Sequence, residues 1–279
     1  MSKLVTGDGR THVESSLMRE SLQDRDVLGR TDSDHDLQIF PDVALVSIGG
    51  QSIFDRGREA LLPLADELAG LMKRHRLVIG VGGGTRVRHT ASIALDLGLP
   101  VGGIAQLVGA MEELNAIMLN ALLSRHGAMT MQRDHFWDLP LYLNSGITPI
   151  CISIPPYHLW EPPPEEGNLP AHGSDFGLFQ LADVLAFKQL IYVKDVDGMY
   201  DRDPKKDDGA RLIRHATLDE LTDAEGHLRQ ADSVLDKQLF WAWKRARNIK
   251  RIQIVNGLVR GQLTAALDGH DAGTVLVKE

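Results

Sequence analysis

Two apolar runs that each end in a glycine cluster and then give way to helix-period sequence constrain this chain more than any other feature. Val43–Ile48 leads into Gly49-Gly50, and Leu77–Val81 into Gly82-Gly83-Gly84. A short, continuous apolar run closed by glycine is the pattern of a buried strand. Behind the first run, Ala60, Leu61, Leu64, Leu68 and Leu71 fall on one stripe with charges opposite, as in a helix packed on a sheet. Strand, glycine turn and helix recur, so the chain reads as α/β and not all-β.

Further elements follow by the same reasoning. Helices are predicted over Thr85–Leu97, closed by Gly98, over Gln106–His126, closed by Gly127, and over Leu139–Asn144. Ala128–Met131 and Thr148–Ser153 read as strands. A helix opens near Ser174, with Ser174 or Asp175 as N-cap, and runs to Phe187. Leu190–Lys194 is apolar enough for a central parallel strand, and the turn residues Asp195-Val196-Asp197-Gly198 follow it. Thr217 and Glu220 have capping-box spacing. A helix over Ser233–Asn248 and strands over Arg251–Val255 and Thr274–Val277 complete the domain.

Glycine turns expose backbone N–H groups, and a helix opening after them adds its positive end, so the two turns converging with Arg86 and Arg88 suit anionic oxygens. The spacing is neither that of a P-loop nor that of a dinucleotide-binding turn, which disfavours P-loop ATPases and nicotinamide dehydrogenases.

Composition narrows the partners. With 30 basic against 38 acidic residues the net charge is −8, which argues against nucleic acid or an anionic membrane. Cys151, the single cysteine, sits between Ile150 and Ile152 and reads as a buried thiol. No 18 apolar residues run uninterrupted, and a soluble, cytoplasmic protein is expected. Residues 1–36 lack a clean period and form an arm, mobile or bound to a partner, with a short amphipathic helix over Ser15–Val27; residues 37–279 form the folded domain. Prolines at 155, 156, 162, 163 and 164 stiffen a loop displayed on a surface, in a cavity or at a subunit contact.

The order Ile48-Gly49-Gly50, Gly82-Gly83-Gly84 with Arg88, Ser174-Asp175, Lys194-Asp195-Val196-Asp197-Gly198-Met199-Tyr200 and Asn256-Gly257 resembles the amino-acid kinase superfamily, especially its uridylate kinase branch. Gly49-Gly50-Gln51-Ser52, Asp55-Arg56-Gly57, Arg86-Val87-Arg88-His89, Pro155-Pro156-Tyr157 and Val255-Asn256-Gly257 are similar to the molybdenum storage family within it. The resemblance implies a three-layer αβα sandwich with a central, mainly parallel sheet. It also implies a hexameric cage, formed by a homo- or hetero-oligomer with a homologous subunit, that binds MgATP and deposits molybdate or tungstate as polyoxometallate. Carried onto this sequence, Gly49, Gly50, Gly82, Gly83, Gly84, Arg86 and Arg88 cradle phosphate, and Asp175 orients a cation or magnesium. Lys194, Asp197, Gly198 and Tyr200 match the nucleotide segment, and His158 falls where the storage family lines its cage.

Ser47 departs from the pattern, standing where a lysine is usual, two residues before the glycine pair. That puts ordinary kinase activity in doubt, because the lysine would neutralise the transferred phosphate. The resemblance thus implies an ATP-binding oxometallate storage subunit. The alternatives are a small-molecule or nucleoside monophosphate kinase, and an accessory subunit that contributes shape.

Overall fold

The central strand Val43–Ile48 is buried from end to end and its two neighbours are buried except at Arg76, Gln189 and Lys194, as expected of strands covered on both faces. In this computed structural model residues 4–6, 11–13, 38–153, 173–204, 206–229 and 233–278 are described. The segment predicted as a helix over 15–27, the proline-rich loop and His158 lie outside them. The chain divides into two units, Met1–Leu37 and Gln38–Glu279. In the first, β1 (Leu4–Thr6) pairs antiparallel with β2 (Thr11–Val13).

The second unit is built on an eight-stranded sheet in the order β10-β12-β11-β7-β3-β4-β6-β5. Its strands are β3 (Val43–Ile48), β4 (Arg76–Val81), β5 (Ala128–Thr130), β6 (Thr148–Ile152), β7 (Gln189–Lys194), β10 (His215–Thr217), β11 (Arg251–Asn256) and β12 (Thr274–Val277). Every pairing is parallel except that of β11 with β12. A two-stranded ribbon, β8 (Met199–Tyr200) with β9 (Leu212–Ile213), lies outside the sheet.

Alternation along β3 sends Val43 and Leu45 to one face and Ala44, Val46 and Ile48 to the other, so the core divides into two layers. On the first face pack α4 (Leu139–Asn144), α5 (Ser174–Val184) and α7 (Lys237–Arg245); on the second pack α1 (Arg58–Leu71), α3 (Val101–Leu123) and α8 (Gln262–Leu267). Ala91 and Ala94 of α2 (Thr85–Asp96) form a smaller cluster with Ile104, Val108 and Ile152. This is the expected αβα sandwich.

Some boundaries differ from expectation. Helix α3 begins at Val101, five residues early, because Pro100 serves as its extended N-cap and the helix tolerates Gly102-Gly103 in its first turn. Helix α7 spans only Lys237–Arg245: the residues before it run across the start of α5, and Asp183 takes the N–H groups of Asn248 and Ile249 beyond it. The capping box forms as predicted, with Thr217 and Glu220 bonding reciprocally around α6 (Leu218–Leu221).

Trp243 is fully buried, meets the Phe179 ring edge-on at 6.5 Å and donates from Nε1 to the Ile249 carbonyl at 2.6 Å. Trp243→Phe shrinks the ring and leaves that carbonyl unpaired, so it should lower unfolding free energy by about 2–3 kcal/mol, measured by urea titration.

Candidate functional site

The two glycine turns meet at the carboxyl edge of the sheet, backbone against backbone. A Cβ on Gly50 would lie 2.2 Å from Gly84 N and 2.7 Å from the Gly82 carbonyl, so this approach admits only glycine. The turn is tied on both sides: Gly49 N–H donates to Val193 O at 3.1 Å, and Gly82 N–H to Ile48 O at 3.0 Å. The N–H groups of Gly50, Gln51, Ser52, Gly83 and Gly84 find no acceptor among the described residues. Ser52 Oγ is buried and also has no partner among the described residues. These donors border a cavity of about 870 Å³, large enough for a nucleotide and more.

Helix α2 does not add its positive end to this cradle, contrary to expectation. Its N-cap is Gly84, at φ +73°, and Asp55 Oδ2 accepts both the Thr85 N–H and the Thr85 hydroxyl at 2.6 Å. A carboxylate from the preceding turn therefore occupies the helix end. Arg86 points to Asn115 and not into the cavity. Asn115, fully buried, donates to Gly82 O at 2.6 Å, so Arg86 supports the glycine loop from behind. Arg88 does line the cavity.

At the inner wall stand Asp175, 4% exposed, and Lys194, whose Nζ lies 2.8 Å from each Asp175 carboxylate oxygen. The N-cap of α5 is Gly173, not Ser174 or Asp175, and Asp236 accepts the N–H groups of Asp175 and Phe176 at 2.9 and 3.1 Å. Asp175 is thereby spared for Lys194. Burial and the Asp175 charge push the Asp236 carboxyl up to about 6, against the opposing pull of Lys194 and the two N–H donors. Burial likewise raises the Tyr192 phenol, whose hydroxyl donates to Asp175 O at 2.7 Å.

Ser47 lies in one row with these groups. It pairs in register with Tyr192 on one side and Gly80 on the other, and Gly80 pairs with Cys151. The row is small for a reason: a Cβ on Gly80 would lie 2.4 Å from both Leu178 methyl groups, so α5 rests directly on the sheet there. Ser47 is 2% exposed. The Cys151 thiol is fully buried and pushed up to about 12, which makes it an inert core group.

Of the other residues singled out in the sequence, Gly49, Gly198 and Tyr200 line the cavity. Asp197 does not; its Oδ1 accepts from Asn256 Nδ2 at 2.8 Å and ties two turns together. Glu112, Asp195, Asp203 and Asp236 also reach the cavity; the sequence places Asp195 in the turn that follows Lys194 but gives none of the four a site role. Asp195 pairs with Arg56 at 2.5 Å, and Glu112 accepts from Ser153 N and Oγ at 3.0 and 2.6 Å. Carboxylates outnumber bases on the wall, so an anion bound here rests on backbone amides and an accompanying cation.

Residues 42–256 match the amino acid kinase family. The chain is 40% identical to the molybdenum storage protein subunit beta of Azotobacter vinelandii over 264 residues, covering 95% of this chain and 96% of that one. It is 26% identical to a uridylate kinase of Methanobrevibacter smithii, covering 84% of this chain and 99% of that one. Among solved structures, the uridylate kinase of Archaeoglobus fulgidus superposes with a TM-score of 0.65 at 21% identity, over 84% of this chain and 99% of that one; it shares the fold.

The raised Asp236 carboxyl carries a pH signature. The folded state holds this proton more tightly than the unfolded chain, whose carboxyl titrates near 3.8. Its stabilising contribution is therefore full below about pH 4 and lost as pH rises through about 6. Asp236→Asn cannot ionise, so the difference in urea midpoint, wild type minus variant, should fall across that interval and flatten above it.

Proposed function

The chain belongs to the amino acid kinase family, and we propose that within it this protein is an ATP-binding subunit of an oxometallate store, loading molybdate or tungstate in an oligomer with a homologous chain. The observation that carries this reading is 40% identity, over nearly the full length of both chains, to a protein named as a molybdenum storage subunit. That name also supports a partnered assembly.

The cavity fits a nucleotide polyphosphate chemically. Unpaired amides on both glycine turns and the orphaned Ser52 hydroxyl are donors without acceptors, arranged around a cavity that Lys194 and Arg88 also reach. We assign phosphate contacts to Gly50, Gly83, Gly84 and Arg88, and the remaining nucleotide contacts to Gly198 and Tyr200; Gly49, whose N–H is spent on Val193, holds the turn to the sheet. Gly82 and Arg86 act by shaping the loop. Asp175 spends both oxygens on Lys194, so its role is to aim that lysine. Magnesium arriving with ATP offsets the surplus of carboxylates on the wall.

Ser47 sets the chemistry apart from a kinase. Phosphoryl transfer depends on positioned positive charge, and a missing charge-assisted contact costs on the order of 3 kcal/mol of transition-state stabilisation. Lys194, itself neutralised by Asp175, is the lysine on the cavity wall. We therefore favour slow hydrolysis coupled to loading over turnover of a small acceptor, the second reading that the fold supports.

The subunit contact we assign is the apolar outer side of α2 and α3. Ile93, Leu97, Leu114 and Ile117 are 50%, 68%, 42% and 56% exposed, whereas the inward side of α3 buries Glu112 and Asn115. An exposed apolar surface of this kind marks a protein interface.

Incubation of the protein with molybdate, with and without MgATP, followed by size exclusion and assay of co-eluting metal and phosphate, tests the function. Many molybdenum atoms per chain should appear only with ATP; metal-free protein in both arms, with a homologous subunit present, sinks the storage reading. In the same assay Ser47→Lys should raise phosphate release about tenfold or more.

A further inference from the structure

Helix α5 opens with no side chain of its own on its first N–H groups. The missing cap comes from Asp236, 61 residues beyond Asp175, on the segment that leads into α7. One oxygen, Oδ2, takes both the Asp175 and the Phe176 N–H. The fit is close. A Cβ on Gly173 would stand 2.1 Å from that oxygen and 2.3 Å from Asp236 Cγ, so the carboxylate occupies the space a side chain at 173 would fill.

Asp175 is consequently gripped at three points: its N–H by Asp236, its carbonyl by the Tyr192 hydroxyl, and its carboxylate by Lys194. Two of these grips fix the backbone and the third passes that order to the lysine. Were Asp175 to cap its own helix, as its place in the sequence suggests, its carboxylate would turn back on the α5 amides and release Lys194. The helix end thus has two carboxylates competing for one role, and the structure gives it to the distant one.

We propose that Asp236 is a positioning residue: by capping α5 from outside, it holds Asp175 in the orientation that fixes Lys194 at the cavity wall. The consequence for ligand binding rests on the nucleotide reading given above; the effect on Lys194 does not. The arrangement matters more here than in a site with two lysines, because residue 47 is serine.

The test uses full-length Asp236→Ala, Gly173→Ala and Asp236→Asn. Acylation of Lys194 by a small amine-reactive ester is measured without nucleotide by peptide mass spectrometry, and ATP affinity by calorimetry. An ammonium clamped between both oxygens of a carboxylate reacts slowly. Removing the cap in Asp236→Ala should raise the Lys194 rate about tenfold or more, the effect expected when two charge-assisted hydrogen bonds are lost. Gly173→Ala should do the same by wedging the carboxylate out, with Asp236 intact. Asp236→Asn, whose amide oxygen can accept the same two N–H groups, should stay within about twofold of wild type. ATP affinity should fall in the first two variants and hold in the third.

Unchanged Lys194 reactivity in folded Asp236→Ala and Gly173→Ala overturns the proposal and leaves Asp236 a structural cap. Should Asp236→Ala fail to fold, Gly173→Ala decides, since its wedge is confined to the cap. Wild-type protein that binds no ATP defeats the nucleotide reading, while the lysine chemistry still decides the proposal.

Discussion

Carboxylates borrowed from distant segments hold this structure together at its helix ends. Helices α2, α5 and α8 all start from glycine, at Gly84, Gly173 and Gly261, and none has a side-chain cap on its N-cap residue. Asp55 serves the first and Asp236 the second; Glu67, on α1, takes the Gly261 and Thr264 N–H groups at 3.1 and 2.8 Å. Each bond satisfies amides that a helix start leaves open. Each also ties together segments that share no strand pairing. At Gly84 and Gly173 glycine makes the exchange possible, since a Cβ there would stand 2.7 and 2.1 Å from the borrowed carboxylate oxygen.

This arrangement separates two jobs that a helix start usually combines. At α2 and α5 the positive end is already compensated from within the protein, so it has little left for an outside anion. What remains open are the bends after β3 and β4, where the amides of Gly50, Gln51, Ser52, Gly83 and Gly84 find no acceptor among the described residues. The cradle is therefore made of turn amides, and the helices serve as rigid supports.

Much of this fold is legible in the sequence because its main signals are local. Apolar runs closed by glycine gave the central strands, and Leu139–Asn144 and Thr274–Val277 match their predicted bounds. The cavity wall is legible to the extent that it follows strand ends: Gly49-Gly50, Gly83-Gly84 and Lys194 sit at carboxyl edges, where α/β folds open. What escaped is non-local. Nothing near Ser174 announces that Asp236 will cap its helix, and a pattern of apolar residues over 233–248 reads as one helix because periodicity cannot register a side chain leaving for another element. Arg86 is harder to place from sequence for a related reason: two residues, about 200° of helix rotation, separate Arg88 at the cavity from Arg86 at Asn115.

The position of β12 in the sheet also orders events in time. It lies between β10 and β11, so β10 joins the sheet only through it. Lys278, just past its end, donates through Nζ to the carbonyls of Trp243, Lys244 and Ala246 and so closes the end of α7, the helix that Asp236 precedes. During synthesis the half-sheet of β3, β4, β5 and β6 can assemble while the rest is still being made, but the wall that carries Asp236 waits for almost the whole chain to leave the ribosome. The glycine cradle is then built early and its acidic wall late, so a nascent chain cannot present a finished cavity before the sheet is closed.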